Sequence, residues 1–267
     1  MKKVVKAQII SNRKIAPDHF VMKIESRYLS RASSPGQFVN VRVRNGTRYP
    51  LLRIPLGVHS IGQKGIELLY KVVGEATEIL SARRRGGNLD VLGPLGNGYD
   101  LTALLGEKGS RAVLVAGGHG VAPLYGLAAV IRKKKKHVDL FVGACTKKEI
   151  VCAGKFRKLG VKVRMATEDG STACKGYVTE PLEEYLGRNK DQVSSIKVFA
   201  CGPRPMLKAL AGTTKKHGVS AQVSLDAYMA CGTGACLGCA IRTKNGYKMV
   251  CKDGPVFDAQ EIVWEEA

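Results

Sequence analysis

Four cysteines define the first piece of possible chemistry in this chain. Cys231, Cys236 and Cys239 lie in Cys-Gly-Thr-Gly-Ala-Cys-Leu-Gly-Cys, and Cys251 follows after eleven intervening residues. The spacing C-x4-C-x2-C plus a more distant cysteine is that of plant-type [2Fe–2S] proteins. Three thiolates on one tight loop wrap one side of a cluster, and the fourth arrives from a separate turn. Gly232, Gly234 and Gly238 let the loop bend closely and aim amide N–H groups at sulfur, which stabilises negative charge there. A structural zinc site uses two short C-x2–4-C knuckles, which one trio and a lone cysteine match poorly. Cys145, Cys152, Cys174 and Cys201 are dispersed. In a cytosolic chain clustered cysteines signal metal rather than disulfides, and the cytoplasm is the expected location.

A second site is marked by glycine. Residues 112–116 are an apolar run suited to a buried parallel strand, and Gly117-Gly118-His119-Gly120-Val121-Ala122-Pro123 follows at once. An apolar helix over 124–131 comes next. Strand, glycine turn and helix present N–H groups and a helix N-terminus to a pyrophosphate. The turn is not G-x-G-x-x-G and is weak evidence alone. Strands at 138–142, 161–166 and 196–200 alternate with helices at 148–159, 178–186 and beyond Pro205. In such sheets ligands bind at the carboxyl ends of strands, where Gly118, Thr167, Asp169, Cys201 and Gly202 would meet. Cys201 reads equally as a small core residue or a ligand-facing one. His119, in a turn, reads as a neutral structural residue rather than a base.

These sites need elements to hold them. Short β-type runs at 3–11, 19–26, 37–43 and 66–73, punctuated by Gly and Pro, suit a small antiparallel barrel. Gly74-Glu75-Ala76-Thr77 then opens a short helix to about residue 82, a second possible phosphate seat. The length of 267 residues fits two compact domains and a short module. The expected division is a barrel at 1–103, an α/β parallel-sheet domain at 104–222 and a cluster module at 223–267. No apolar run reaches the roughly 18 residues that cross a bilayer, and the N-terminus reads as a strand rather than a signal peptide. The net charge of +21 fits a Lys-rich surface or an acidic protein partner better than nucleic acid. Its basic runs are short and not interleaved with aromatics.

Together these stretches resemble the ferredoxin–NADP reductase superfamily, and within it the electron-transfer subunits of class 1B, NAD-linked dihydroorotate dehydrogenases. The resemblance runs through Pro35-Gly36-Gln37-Phe38, Leu69-Tyr70-Lys71-Val72-Val73-Gly74 and Gly93-Pro94-Leu95-Gly96-Asn97-Gly98. It continues through Ala116-Gly117-Gly118, Gly120 to Leu124, Cys201-Gly202-Pro203, Pro205-Met206, the cysteines, and Val250 to Phe257. It implies a multi-domain fold of antiparallel β-barrel, α/β nucleotide-binding domain and C-terminal [2Fe–2S] module.

The resemblance also implies a relay from NAD(H) through FAD to the cluster, serving a catalytic dihydroorotate dehydrogenase-type subunit or another redox protein. No nucleic acid and no membrane is implied. FAD would lie along Arg53, Pro55, Leu56, Gly57, Tyr70, Lys71, Val72, Gly74, Ala76 and Thr77. NAD would lie along Gly117, Gly118, Gly120, Asp169, Cys201, Gly202 and Pro203, with Cys201 the one catalytic candidate, at the nicotinamide edge. Cys231, Cys236, Cys239 and Cys251 would hold the iron.

Three departures stand out. The family's Arg-Pro-x-Ser loop is Ile54-Pro55-Leu56-Gly57 here, its Gly-x-Gly-Thr turn is Gly74-Glu75-Ala76-Thr77, and His119 replaces an aliphatic residue. They leave two alternatives: a related ferredoxin-NADP or sulfide oxidoreductase small subunit, and a flavin-less cluster-bearing module. Lys147 and Lys148 would favour NADPH, Glu168 and Asp169 NADH.

Overall fold

The computed structural model describes residues 2–44 and 49–265. Alternating apolar residues build six strands: β1 (Lys3–Ala16), β2 (His19–Glu25), β3 (Phe38–Arg42), β4 (Ile54–Ile61), β5 (Gly65–Lys71) and β6 (Asn88–Leu95). They close in the order β1-β2-β5-β4-β3-β6 into an antiparallel barrel, which leaves no strand edge open. Met22, Ile24, Val39, Val41, Val58 and Leu68 fill its interior. Two short helices, α1 (Arg27–Ala32) and α2 (Glu75–Ser81), belong to this unit. Residues 54–57, read from the sequence as a loop, are instead the first half of β4. Leu56 and Val58 alternate into the barrel core, and that burial makes the segment a strand.

After α3 (Thr102–Gly106) comes a parallel sheet of β7 (Arg111–Gly117), β8 (His137–Ala144), β9 (Lys162–Thr167), β10 (Cys174–Lys175), β11 (Ile196–Cys201) and β12 (Ser220–Ser224). Their order is β10-β9-β8-β7-β11-β12. The chain winds one way from β7 and the other way through β11, so the crevice between these two strands is the switch point where such sheets bind ligands. On one face α4 (Val121–Lys133) and α5 (Ala153–Lys158) bury Leu124, Leu127, Ile131 and Phe156. On the other α6 (Thr179–Arg188) and α7 (Arg204–Lys216) bury Leu182, Leu186, Leu207 and Leu210. The single helix expected over 148–159 is broken. A 3-10 turn spans Lys147–Glu149, and Cys152, left-handed at φ 64, interrupts the chain before α5.

The C-terminal segment adds a hairpin of β13 (Ala240–Thr243) and β14 (Gly246–Met249), then β15 (Val256–Asp258). β15 joins the nucleotide-type sheet as a seventh, antiparallel strand against β12. Cys239, Ile241, Val250, Cys251 and Phe257 share the core of the α6 and α7 face. The three units are also stitched by hydrogen bonds. Asn97 Nδ2 donates to Asp253 O (2.9 Å), and Tyr99 Oη donates to Ala200 O (3.2 Å). Asp100 and Gln222 exchange bonds of 2.9 and 2.7 Å. Among the described residues no helix is long and apolar enough to cross a membrane.

Candidate functional site

The site is built on the outer face of the barrel. Because Leu56 and Val58 point inward, Pro55, Gly57 and His59 point outward along β4. Helix α4 lies across them. Gly126 allows the close approach, since a Cβ there would stand 3.0 Å from His59 O. A Cβ on Gly57 would find only Pro123, at 3.9 Å. On neighbouring β3, Val39 and Val41 point inward and Phe38 and Asn40 outward. Asn40 is opposite Pro55 in the ladder and faces the cluster loop: a Cβ on Gly232 would fall 2.0 Å from its Nδ2. Gly232 has φ +68, so only glycine both adopts that backbone and leaves the space. The cluster loop therefore seats at Asn40, and the first turn of α4, through Pro123, at Gly57. One strand spacing and two residues separate them, about 8 Å.

The glycine turn lies where the sheet requires it. β7 ends at Gly117, Gly118–Gly120 form a 3-10 turn, and α4 begins at Val121. Cys201, Gly202 and Pro203 leave the adjoining β11 and lead into α7. Gly117 is packed against Pro203 and Met206, and a Cβ on Gly120 would stand 2.1 Å from Cys201 O. A Gly120→Ala chain is therefore expected to be less stable by about 1–3 kcal/mol, the usual cost of overpacking. Thermal melting of the two chains checks this, and an unchanged melting temperature would show slack between β7 and β11. Burial, reinforced by the Asp226 carboxylate, pushes the Cys201 thiol up to about 12. It stays protonated at neutral pH and is no nucleophile. Asp169 lies beyond β9, two strands from β7 and so about 10 Å away. Its carboxylate accepts from Ser171 N (2.9 Å) and Ser171 Oγ (2.6 Å), which hold it below the usual carboxylate range.

The residues aligned with a flavin divide into two groups. At the ring end, Gly57 puts no side chain on the outer face of the barrel, and Pro123 stands within contact distance of where one would be. At the phosphate end, Arg53 donates to Asp90 O (3.0 Å) and pairs with the Asp90 carboxylate (2.8 Å), so it does not replace the cation missing at Ile54. Thr77 Oγ accepts from Val73 N (2.9 Å) and Gly74 N (3.2 Å), closing the turn on itself. Glu75 pairs with Arg44 (3.6 Å), which supplies a cation at this turn from outside the family pattern. Ala76 packs on the barrel core. The Tyr70 side chain is inside the barrel, donating to Asn12 Oδ1 (2.9 Å), so only its backbone faces out. Val72 N is taken by Asp18 O (2.7 Å), and Lys71 alternates outward.

Three histidines at the barrel–sheet junction had no sequence signal as a group. His59 Nδ1 donates to Ala122 O (2.7 Å), and its ring stacks on Tyr125. His119 bonds the Leu69 carbonyl and lies 5.7 Å from the His19 ring. His59 Nε2 and His119 Nδ1 are buried without partners among the described residues. Burial lowers both to about 4, with Lys155 acting further on His59 and His19, His59 and Lys71 on His119. Both are neutral at pH 7.

The four cysteines come together as two pairs. Cys231 interacts with Cys236, and Cys239 with Cys251, while Cys231 acts more weakly on Cys251 across the pairs. Thr233 N donates to Cys231 Sγ and Cys251 N to Cys239 Sγ, each at 3.4 Å. Among the described residues no three such side chains converge on one point. Two pairs suit a two-iron cluster bound by four thiolates, two per iron, better than one zinc ion. Amide N–H groups of Thr233 and Cys236 lower the Cys231 thiol to about 5, whereas burial and the neighbouring Cys239 push Cys251 up to about 12. Metal binding at Cys251 therefore releases a proton.

Residues 226–263 match the family model for the iron-sulfur cluster binding domain of dihydroorotate dehydrogenase B, and residues 114–212 match the oxidoreductase NAD-binding domain. A dihydroorotate dehydrogenase B (NAD(+)) electron transfer subunit from Geobacillus sp. (strain WCH70) is 40% identical, covering 98% of this chain and 100% of that one. The protein of the same name from Caldanaerobacter subterraneus subsp. tengcongensis is 39% identical, covering 99% and 100%. A solved structure of an NADH-dependent reduced ferredoxin-NADP oxidoreductase, from a study of flavin-based electron bifurcation, superimposes with a TM-score of 0.82. It is 30% identical over 97% of this chain and 90% of that one. With relatives this similar over nearly its whole length, the chain belongs to the family of dihydroorotate dehydrogenase B (NAD(+)) electron transfer subunits.

Proposed function

We propose that this chain carries electrons between NAD(H) and a [2Fe–2S] cluster by way of FAD on the barrel, for a cytoplasmic catalytic subunit that oxidises dihydroorotate. One observation carries the reading: the first turn of α4, which follows the glycine turn, and the cluster loop meet the barrel at Gly57 and Asn40, about 8 Å apart on the adjacent strands β4 and β3. A bound flavin supplies the exchange between two-electron and one-electron chemistry that such a relay needs.

The chain's own residues do the rest. The glycine turn at Gly118–Gly120 and the N-terminus of α4 receive a pyrophosphate. Gly117, Gly120 and Gly202 keep the crevice floor free of side chains, and the protonated Cys201 thiol borders it without adding charge. Neutral His59 and His119 close the junction against water without competing charge. Cys231 and Cys236 hold one iron, and Cys239 and Cys251 the other. Tyr228 and Leu237, 98% and 63% exposed beside the cluster loop, offer the catalytic subunit an apolar contact.

A second reading is favoured by the Thr77 closure and the Arg53–Asp90 pair: a cluster-bearing chain that has lost flavin. Anaerobic purification of the chain, with acid-released flavin, iron and sulfide measured, separates the two. About one FAD, two irons and two sulfides per chain is the expected result. Iron and sulfide without flavin, even after added FAD, would replace the relay with the second reading.

A further inference from the structure

One buried amide beside the cluster loop is satisfied by nothing among the described residues. Asn40 is fully buried, and neither Oδ1 nor Nδ2 has a hydrogen-bond partner among the described residues. An orphan of this kind is destabilising, a cost that an apolar residue would avoid. The strand dictates its direction. Val39 and Val41 belong to the barrel core, so Asn40 must face out, and its cross-strand neighbour Pro55 has no N–H to offer. The amide nitrogen abuts Gly232, the residue after Cys231. Several loop amides already point at sulfur, among them Thr233 N at Cys231 and Cys251 N at Cys239. All come from the cysteine-bearing segment itself; Asn40 comes from the barrel.

We propose that the Asn40 carboxamide donates an N–H to a sulfur at the Cys231 end of the cluster, making the barrel a tuning element for that end. This rests on reading the four cysteines as a [2Fe–2S] site. Thiolate and sulfide sulfurs only accept, so they select the amide orientation that turns N–H toward them. A hydrogen bond to sulfur stabilises the extra electron of the reduced cluster and raises its potential. Asn40 is thus a positioning and tuning residue, acting through the cluster on the partner's electron supply.

The test uses the full chain as wild type, Asn40→Leu and Asn40→Asp, each purified anaerobically. Leucine keeps the branched shape and removes the donor; aspartate replaces the donor with charge. Iron and sulfide are measured first. A wild type without iron would overturn the cysteine reading, and this proposal with it, before any potential is taken. With clusters present, a reductive titration followed by electron paramagnetic resonance is expected to give a lower midpoint potential for Asn40→Leu and a still lower one for Asn40→Asp, with shifted g-values. A wild-type potential in Asn40→Leu at full iron content would overturn the tuning role alone. Thermal melting after cluster removal is the second readout. Asn40→Leu is expected to melt no lower than wild type, because it deletes an unpaired buried amide. A clear drop would mark Asn40 as a structural residue and overturn the proposal.

Discussion

Replacing Cys251 with alanine is expected to strip the cluster from the chain. Iron should fall from about two per chain to near zero, and the visible absorption of the cluster should disappear. The reason is positional. Cys251 is fully buried, its amide N–H already serves Cys239 Sγ, and it is half of the pair that takes the second iron. An alanine there takes from Cys239 the thiol it interacts with in the core. Even partners outside the ligand set typically change metal affinity 10–100-fold when lost, and a ligand costs more. Cys145→Ala is the control, because Cys145 is exposed at the end of β8 and belongs to neither pair. Wild-type iron in the Cys251→Ala chain would dismiss the two-pair reading.

The barrel–sheet junction should make the chain acid-sensitive well above the range of ordinary carboxylates. His59 and His119 titrate near 6.5 when unfolded and at about 4 when folded. Between those values the unfolded chain binds protons that the folded chain refuses, so stability rises with pH there. The contribution is fully present above about pH 6.5 and is lost as pH falls towards 4. Each histidine accounts for about 3 kcal/mol, taking 1.36 kcal/mol per pKa unit. Urea unfolding at pH 7 and pH 4.5 measures the difference, and His119→Ile should flatten the dependence by roughly half. Comparing the variant with wild type at each pH cancels the carboxylates, which both chains share. Parallel curves for the two chains would show that His119 is not held neutral by the fold.

What the sequence made legible follows from locality. The cysteine spacing, the glycine turn after 112–116 and the period-two runs of the barrel each concern residues close in the chain, and each resolves into the expected element. What it hid is set by contacts between distant segments. Residues 54–57 look like a loop because Pro55 and Gly57 are loop formers; β4 forms because Leu56 and Val58 find the barrel core. Asn40 looks like an ordinary polar residue on the wet side of a strand, until the cluster loop covers that side. His19, His59 and His119 come from β2, β4 and the glycine turn, and nothing in their spacing brings them together. The departures at Ile54, Gly57 and Ala76 were legible as substitutions. The Arg53–Asp90 pair and the Thr77 closure were not, since one needs β6 and the other the folded turn.

The antiparallel seat of β15 against β12 bears on how the chain is made. β12 is synthesised before the cluster loop and the hairpin, and β15 only after them. Until β15 arrives, the backbone of β12 is an unpaired edge, open to a second nascent chain. The iron-binding segment therefore doubles as the molecule's own edge guard. A ribosome stalled within it, or a product clipped after β12, would release a protein prone to stick to its siblings although every strand of the barrel is complete.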